Sequence, residues 1–115
     1  MLRVGSIVWG VRDVPAAILF WTAVLNYRLR DTPDVDWAML VPVEGAGVQL
    51  AIKQVRSEAD SHQRHHLDLY ALDLDSELQR LLKLGARRVD WRYEPGADYV
   101  VLADPDGNRF CVIQK

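Results

Sequence analysis

His66 and Asp68 stand two residues apart in the run His66-Leu-Asp-Leu-Tyr-Ala-Leu-Asp73. An extended chain turns alternate side chains to one face, so in a strand His66, Asp68 and Tyr70 are neighbours. An imidazole titrates near neutrality and serves as acid, base or ligand. A carboxylate beside it orients or charges the ring. The plainer alternatives are a hydrogen-bonded histidine and a partly solvated strand carboxylate. Cys111 is the single cysteine. It is a soft metal donor or a reactive thiol, set against the commoner role of free cysteine as a small buried hydrophobe. Trp37, Tyr70 and Tyr99 offer aromatic walls for a flat or apolar ligand, or else cover for apolar surface or a dimer seam. His62 and His65 read most simply as loop residues. Arg87, Arg88 and Arg92 resemble an anion patch, although a solvated strand edge is commoner. The sequence has no phosphate-binding glycine loop, no Cys-x-x-Cys pair and no serine nucleophile elbow.

What must position these residues is a repeat. Ser6–Asp13 aligns with His66–Asp73, and Trp37-Ala-Met-Leu40 answers Tyr99-Val-Val-Leu102. Each half opens with a strand-like run ending in Asp, continues with an amphipathic helical stretch, and closes with short β-rich segments. This order is that of a duplicated β-α-β-β-β unit. In the first half, alternation predicts a strand over 4–12, with Ser6, Val8 and Gly10 on one face and Ile7, Trp9 and Val11 on the other. Asp13 is a natural N-cap and Pro15 suits a first helical turn. Ile18, Trp21 and Leu25, joined by Phe20 and Val24, form the expected buried side of a helix running to about Leu25. Trp9 and Trp21 are read as packing residues. Strands are expected near 27–31, 36–42 and 47–54, and residues 55–64 as an exposed connection between modules 1–54 and 65–115. In the second half a strand over 65–72 precedes a helix capped by Asp73 or Asp75. Leu78, Leu81 and Leu82 form its stripe, and Gly85 ends it. Strands near 87–92, 98–103 and 109–114 follow. Asp104-Pro105-Asp106-Gly107 forms a hairpin turn, in which Pro presets φ and Gly accepts a positive φ.

Composition narrows the function. A length of 115 residues suits one domain. Half the residues are hydrophobic and 26% charged, as in soluble globular chains. A net charge of −2 gives no electrostatic reason to expect nucleic acid or an anionic membrane. No apolar run approaches the ~20 residues of a membrane span. The N-terminus lacks the basic region and cleavage site of a signal peptide. A lone cysteine excludes an intrachain disulfide and suits a reducing cytoplasm.

The two repeats, with Leu84-Gly85-Ala86 after the second helix, Leu102-Ala-Asp-Pro-Asp-Gly-Asn108-Arg-Phe-Cys-Val112, Phe20-Trp21 and Val24-Leu25-Asn26-Tyr27, resemble the vicinal oxygen chelate superfamily. That superfamily includes glyoxalase I, extradiol dioxygenases and bleomycin-resistance proteins. The likeness covers nearly the whole chain and is strongest to small bacterial glyoxalase-like domains. It implies an α+β fold of two βαβββ modules forming a cupped, mostly antiparallel mixed sheet, with helices on the convex side. It also implies a homodimer.

In the superfamily's metal-using enzymes, His and Glu-type ligands come from the first and last strands of the modules, and the ion acts as a Lewis acid. Carried over residue by residue, His66 matches. Its first-module equivalent is Ser6, a poor ligand. The carboxylate that follows Asp-Pro-Asp-Gly-Asn is replaced by Cys111, and its first-half counterpart falls near Leu50 or Ala51. Catalytic zinc usually needs three protein ligands, so the expectation is no metal. A rearranged site of His66, Asp68 and Cys111 for zinc, nickel, manganese or iron is the alternative. The two-His, one-carboxylate set of an extradiol dioxygenase is missing. The function expected is therefore a metal-free, metabolite- or antibiotic-sequestering homodimer that binds a small apolar or aromatic molecule. The first module would line its cup with Ser6, Val8 and Trp37, and the second with His66, Asp68, Tyr70, Tyr99 and Cys111. A glyoxalase-type lyase or isomerase, using a metal or His66 as a lone base, is the second expectation. A dimeric interaction module without ligand is the third.

Overall fold

A computed structural model describes residues 1–56, 63–105 and 107–115. Among these residues the chain forms eight strands and two helices in the order β-α-β-β-β-β-α-β-β-β. His62 and Asp106, named above, lie outside the described residues, as does most of the expected 55–64 connection. The side chain of Val24 likewise lies outside them. Two compact units result: Ser6–His65, and His66–Lys115 together with Met1–Gly5.

β1 (Leu2–Val11), which lies in the first unit from Ser6 onward, leads to α1 (Val14–Leu25), then β2 (Tyr27–Leu29), β3 (Trp37–Pro42) and β4 (Gln49–Gln54). β1 and β4 run parallel, while the β2–β3 and β3–β4 pairs are antiparallel. α1 begins where expected: the Asp13 carboxylate accepts the Ala16 amide at 3.0 Å. It ends at Asn26, which takes the left-handed conformation at φ 54° and donates its amide to the Thr22 carbonyl. Asparagine tolerates that conformation because its short polar side chain offsets part of the steric cost. The helix lays Val14, Ala17, Ile18 and Trp21 on Ala38, Leu40, Leu50 and Ile52, joined by Ile7, Trp9 and Val11. The opposite face of the same strands carries Val8, Met39, Ala51 and Trp37. One expectation fails: Phe20 is 59% exposed and Leu25 42%. α1 has no charged residue, so its apolar pattern does not single out one side.

The second unit repeats the plan with β5 (His65–Ala71), α2 (Leu74–Lys83), β6 (Arg87–Arg88), β7 (Tyr99–Ala103) and β8 (Arg109–Gln114). β5 and β8 are parallel, and β7 is antiparallel to both β8 and β6. Asp73, not Asp75, caps α2, accepting from the Ser76 amide at 3.3 Å and the Ser76 hydroxyl at 2.8 Å. Gly85 sits at φ 111°, and the Ala86 amide returns to the Leu81 carbonyl, closing the helix. Leu78, Leu81, Leu82 and Leu74 pack on Ala71, Leu102 and Val112. β6 holds only two of the six residues expected near 87–92. Instead, the Tyr93 hydroxyl accepts the Val101 amide of β7 at 2.9 Å. A side chain thus satisfies a backbone donor that a longer strand would have paired. No described helix is long and apolar enough to cross a membrane.

Candidate functional site

Each helix covers one face of its strands, so the chemistry expected from the sequence falls on the other face. In the second unit, Val112, Leu102 and Ala71 face α2. Alternation then turns His66, Asp68 and Tyr70 of β5, Cys111 of β8, and Tyr99 and Val101 of β7 away from the helix. Register brings the donors level. Asp68 pairs with Cys111 across the parallel β5–β8 ladder, and Cys111 pairs with Val101 across β7–β8. The turn before β8 sets that register. The Asp104 carboxylate accepts the Asn108 amide at 2.8 Å and its side-chain nitrogen at 3.2 Å. The Gly107 amide reaches the Asp104 carbonyl at 2.9 Å, with Gly107 at φ 92°.

His66 Nε2 lies 3.3 Å from Asp68 Oδ1, the two side chains being 25% and 16% exposed. One ligand atom from each of His66, Asp68 and Cys111 falls within 4.8 Å of the others. A partly desolvated imidazole–carboxylate pair beside a thiol can accept or donate a hydrogen bond, move a proton, or hold a cation. All three residues belong to the second unit.

The superfamily's ligand set can be tested against this register. In the first unit Val8 pairs with Ala51 just as Asp68 pairs with Cys111 in the second, so Ala51, not Leu50, is the counterpart of Cys111. Ser6 is the counterpart of His66 and is fully buried. A methyl group and a buried hydroxyl do not complete a metal site, so a ligand set drawn from both modules does not fit this chain. The three donors of the second unit are what remains.

The other expected site residues fall as follows. Ser6 and Val8 are buried on the face of β1 away from α1, and Trp37 packs beside Val8, Met39 and Ala51. Tyr99 meets Tyr93 edge to face at 5.5 Å. Tyr70 is occupied otherwise: Arg3 and Lys115 lie over its ring at 4.9 and 5.0 Å, and a Cβ added at Gly5 would fall 2.3 Å from it. Its ring therefore takes part in packing and in two cation contacts. Sequence reasoning missed two features. His65 opens β5, as the strand expected over 65–72 has it, but its setting was not foreseen: it stacks on Trp9 at 3.7 Å with rings 2° apart, and its Nδ1 accepts the Gly10 amide at 3.1 Å. Arg109 stands two residues before Cys111, on the same face of β8, with its guanidinium 6.0 Å from the Trp91 ring. Period-two alternation from Cys111 would have found Arg109; nothing local marks Trp91 as its partner.

Residues 6–113 match the glyoxalase-like domain family. No curated protein matches the sequence. Among solved structures, a glyoxalase/bleomycin resistance protein/dioxygenase superfamily member from Vibrio splendidus 12B01 is similar over all of both chains, at 16% identity and TM-score 0.66. Methylmalonyl-CoA epimerase from Mycobacterium tuberculosis is similar over 96% of this chain and 86% of its own, at 18% identity and TM-score 0.66. A protein described as an NAD-dependent benzaldehyde dehydrogenase from Legionella pneumophila is similar over 94% and 96%, at 13% identity and TM-score 0.69. Such likenesses carry the fold and not the reaction, and the activities they name differ. The match over nearly the whole length, with both βαβββ units in place, establishes that the chain belongs to the glyoxalase-like domain family.

Proposed function

We propose that this protein binds a small, oxygen-bearing apolar or aromatic molecule on the helix-free face of its second unit. His66 and Asp68 anchor the polar end and Tyr99 lies against the apolar part. The observation that carries this reading is the meeting of His66, Asp68 and Cys111 on one face, two of them only partly desolvated. Arg109, on the same face, favours ligands with a carboxylate or similar anionic group. The Mycobacterium tuberculosis relative is named for a carboxylated CoA ester. Direct binding needs no metal, since an imidazole–carboxylate pair both donates and accepts hydrogen bonds. The role we propose for such binding is sequestration of a metabolite or antibiotic by a cytoplasmic homodimer. The test is a thermal-shift screen of aromatic and carboxylated metabolites, followed by titration of each hit against His66→Ala. The expected result is a stabilising ligand whose affinity falls at least about tenfold in the variant, the size of one lost charge-assisted hydrogen bond. Hits that bind His66→Ala equally well would refute the assignment.

A specific observation also favours a second reading, a lyase or isomerase. The 3.3 Å contact between His66 and Asp68 is the arrangement by which a carboxylate orients an imidazole base. In that case His66→Ala abolishes turnover of a ligand found in the screen, whereas Asp68→Asn leaves a reduced rate. Hits that bind and return unchanged argue for the binding role.

A further inference from the structure

We infer that the ligand of this face is a carboxylic acid bearing an aryl group, its carboxylate held between Arg87 and Arg109, with Trp91 positioning Arg109. This class of ligand rests on the binding role proposed above, and deepens it by adding Arg87 and Trp91 to the site.

Register puts the two arginines on one face. Arg87 of β6 pairs with Ala103 of β7, and Ala103 pairs with Arg109 of β8. Paired residues point to the same side of a sheet, so all three face away from α2, as Val101 and Cys111 do. Arg88 pairs instead with Leu102, which packs under α2. The arginine pair of the sequence is thus divided, and only Arg87 shares the face of His66 and Asp68. Two steps across neighbouring strands set the stems of Arg87 and Arg109 about 10 Å apart. Between them lies only the methyl group of Ala103, which is buried. Two long cationic side chains on either side of a short neutral one make a notch in which both guanidiniums can reach one carboxylate. Asp68 is the only acid among the named site residues, and two guanidiniums outweigh it.

The segment between β6 and β7 supplies the aromatic part. Trp91 and Tyr93 are 43% and 40% exposed. The Trp91 ring lies 6.0 Å from the Arg109 guanidinium. A cation resting on an indole keeps its stem in place, which lowers the cost of ordering it on a ligand. At the other end of the face, Tyr99 pairs with Ile113, four residues along β8 from Arg109, or about 13 Å. Tyr93 meets Tyr99 edge to face at 5.5 Å, and its hydroxyl is fixed on the Val101 amide. The Asp68–Cys111 pair lies between the two ends. His66 and Arg109 each stand two residues before that pair on parallel strands, toward the cationic end. The face therefore runs from two tyrosine rings to two arginines. A flat apolar group joined by a few bonds to a carboxylate matches that order, with the arginine stems taking up part of the span.

The test is an NMR titration of the whole chain with 4-phenylbutanoate and with its neutral amide, which has nearly the same shape. Wild type should bind the acid at least about tenfold more tightly than the amide, the size of one charge-assisted hydrogen bond. Arg87→Gln and Arg109→Gln should each weaken the acid alone, and the double variant should bind the acid no better than the amide. Trp91→Leu should weaken the acid roughly two- to fivefold and spare the amide, with Trp91→Phe recovering most of the loss. All three side chains are exposed, and the comparison of acid with amide in wild type needs no variant. Equal affinity for acid and amide, no binding of either, or a preference for the acid that survives the double substitution overturns the inference. The binding role is judged separately, on the hits of the ligand screen. Neutral hits that weaken in His66→Ala and not in the arginine double variant keep that role and remove the carboxylate notch. Hits indifferent to His66→Ala remove the role itself.

Discussion

At the scale of single residues, the contrast between Tyr70 and His66 shows how one strand face divides its work. Both point away from α2, yet Tyr70 is held by packing on Gly5 and by two cations, whereas His66 lies 3.3 Å from the Asp68 carboxylate, both side chains partly exposed. The Tyr70–Gly5 contact makes a sharp prediction. Gly5→Ala places a methyl group where the ring stands, and should destabilise the fold by about 1–3 kcal/mol, the usual cost of overpacking. Tyr70→Ala opens that space, so the double variant should lose clearly less than the sum of the two single losses. Urea unfolding of all four proteins measures this, and strict additivity would show that the ring and Gly5 do not compete for space. His66, Asp68 and Cys111 were all legible as donors from residue type and spacing. What the sequence did not reveal was their mutual distance, because that depends on a ladder between strands some forty residues apart.

At the scale of elements, the two helices are built from different signals. α2 is patterned, with acidic residues in its first turn, Arg80 and Lys83 in its last, and a leucine stripe between. Its packed side was therefore readable in advance. α1 is apolar apart from Thr22, and its orientation is set by the strands beneath it, so Phe20 and Leu25 were assigned inward and lie outward. What defines α1 locally is its cap. Asp13→Ala should cost about 1 kcal/mol in chemical denaturation, and Asp13→Asn much less. A loss equal in both variants would mean that the carboxylate charge, rather than the cap hydrogen bond, is at work.

α2 also carries a dependence on pH. Glu77 is held below its ordinary value of 4.5 by hydrogen bonds from the Met1 amino group, 3.0 Å away, and from Arg80. Asp73 is held below 3.8 by the Ser76 hydroxyl and amide. A carboxylate depressed on folding adds stability that is present above its unfolded value and is lost as pH falls through its folded value. Stability should therefore decline as pH drops below about 4.5. The combined Glu77→Gln and Asp73→Asn variant should be weaker at neutral pH and decline less steeply in acid. Urea midpoints at pH 7, 4 and 3 test this; parallel acid profiles would assign the loss to other groups.

At the scale of the whole molecule, the sixty-residue repeat made the architecture readable, because strands, caps and turn residues recur in the same order in both halves. The boundaries of β3, β7 and β8 fall within a residue of those expected. β6 is shorter than expected, and the Tyr93 hydroxyl, eight residues away, is the partner of the Val101 amide, a side-chain-to-backbone pairing with no strand-like signature. The same duplication shows what has diverged. Equivalent registers carry Ser6, Val8 and Ala51 in one unit and His66, Asp68 and Cys111 in the other, so small, fully buried side chains in the first correspond to partly exposed ionisable ones in the second. A repeat predicts where side chains point, and only their identities say which half can react.

The most direct test of the claim that this face binds a small molecule is the histidine side-chain NMR spectrum, recorded with and without a hit from the ligand screen. His65, stacked on Trp9 and accepting the Gly10 amide, provides a ring-current-shifted internal reference. The account predicts that the ligand moves the His66 ring signals, leaves those of His65 in place, and no longer does so in Asp68→Asn. A ligand that binds and leaves the His66 signals unmoved would contradict it.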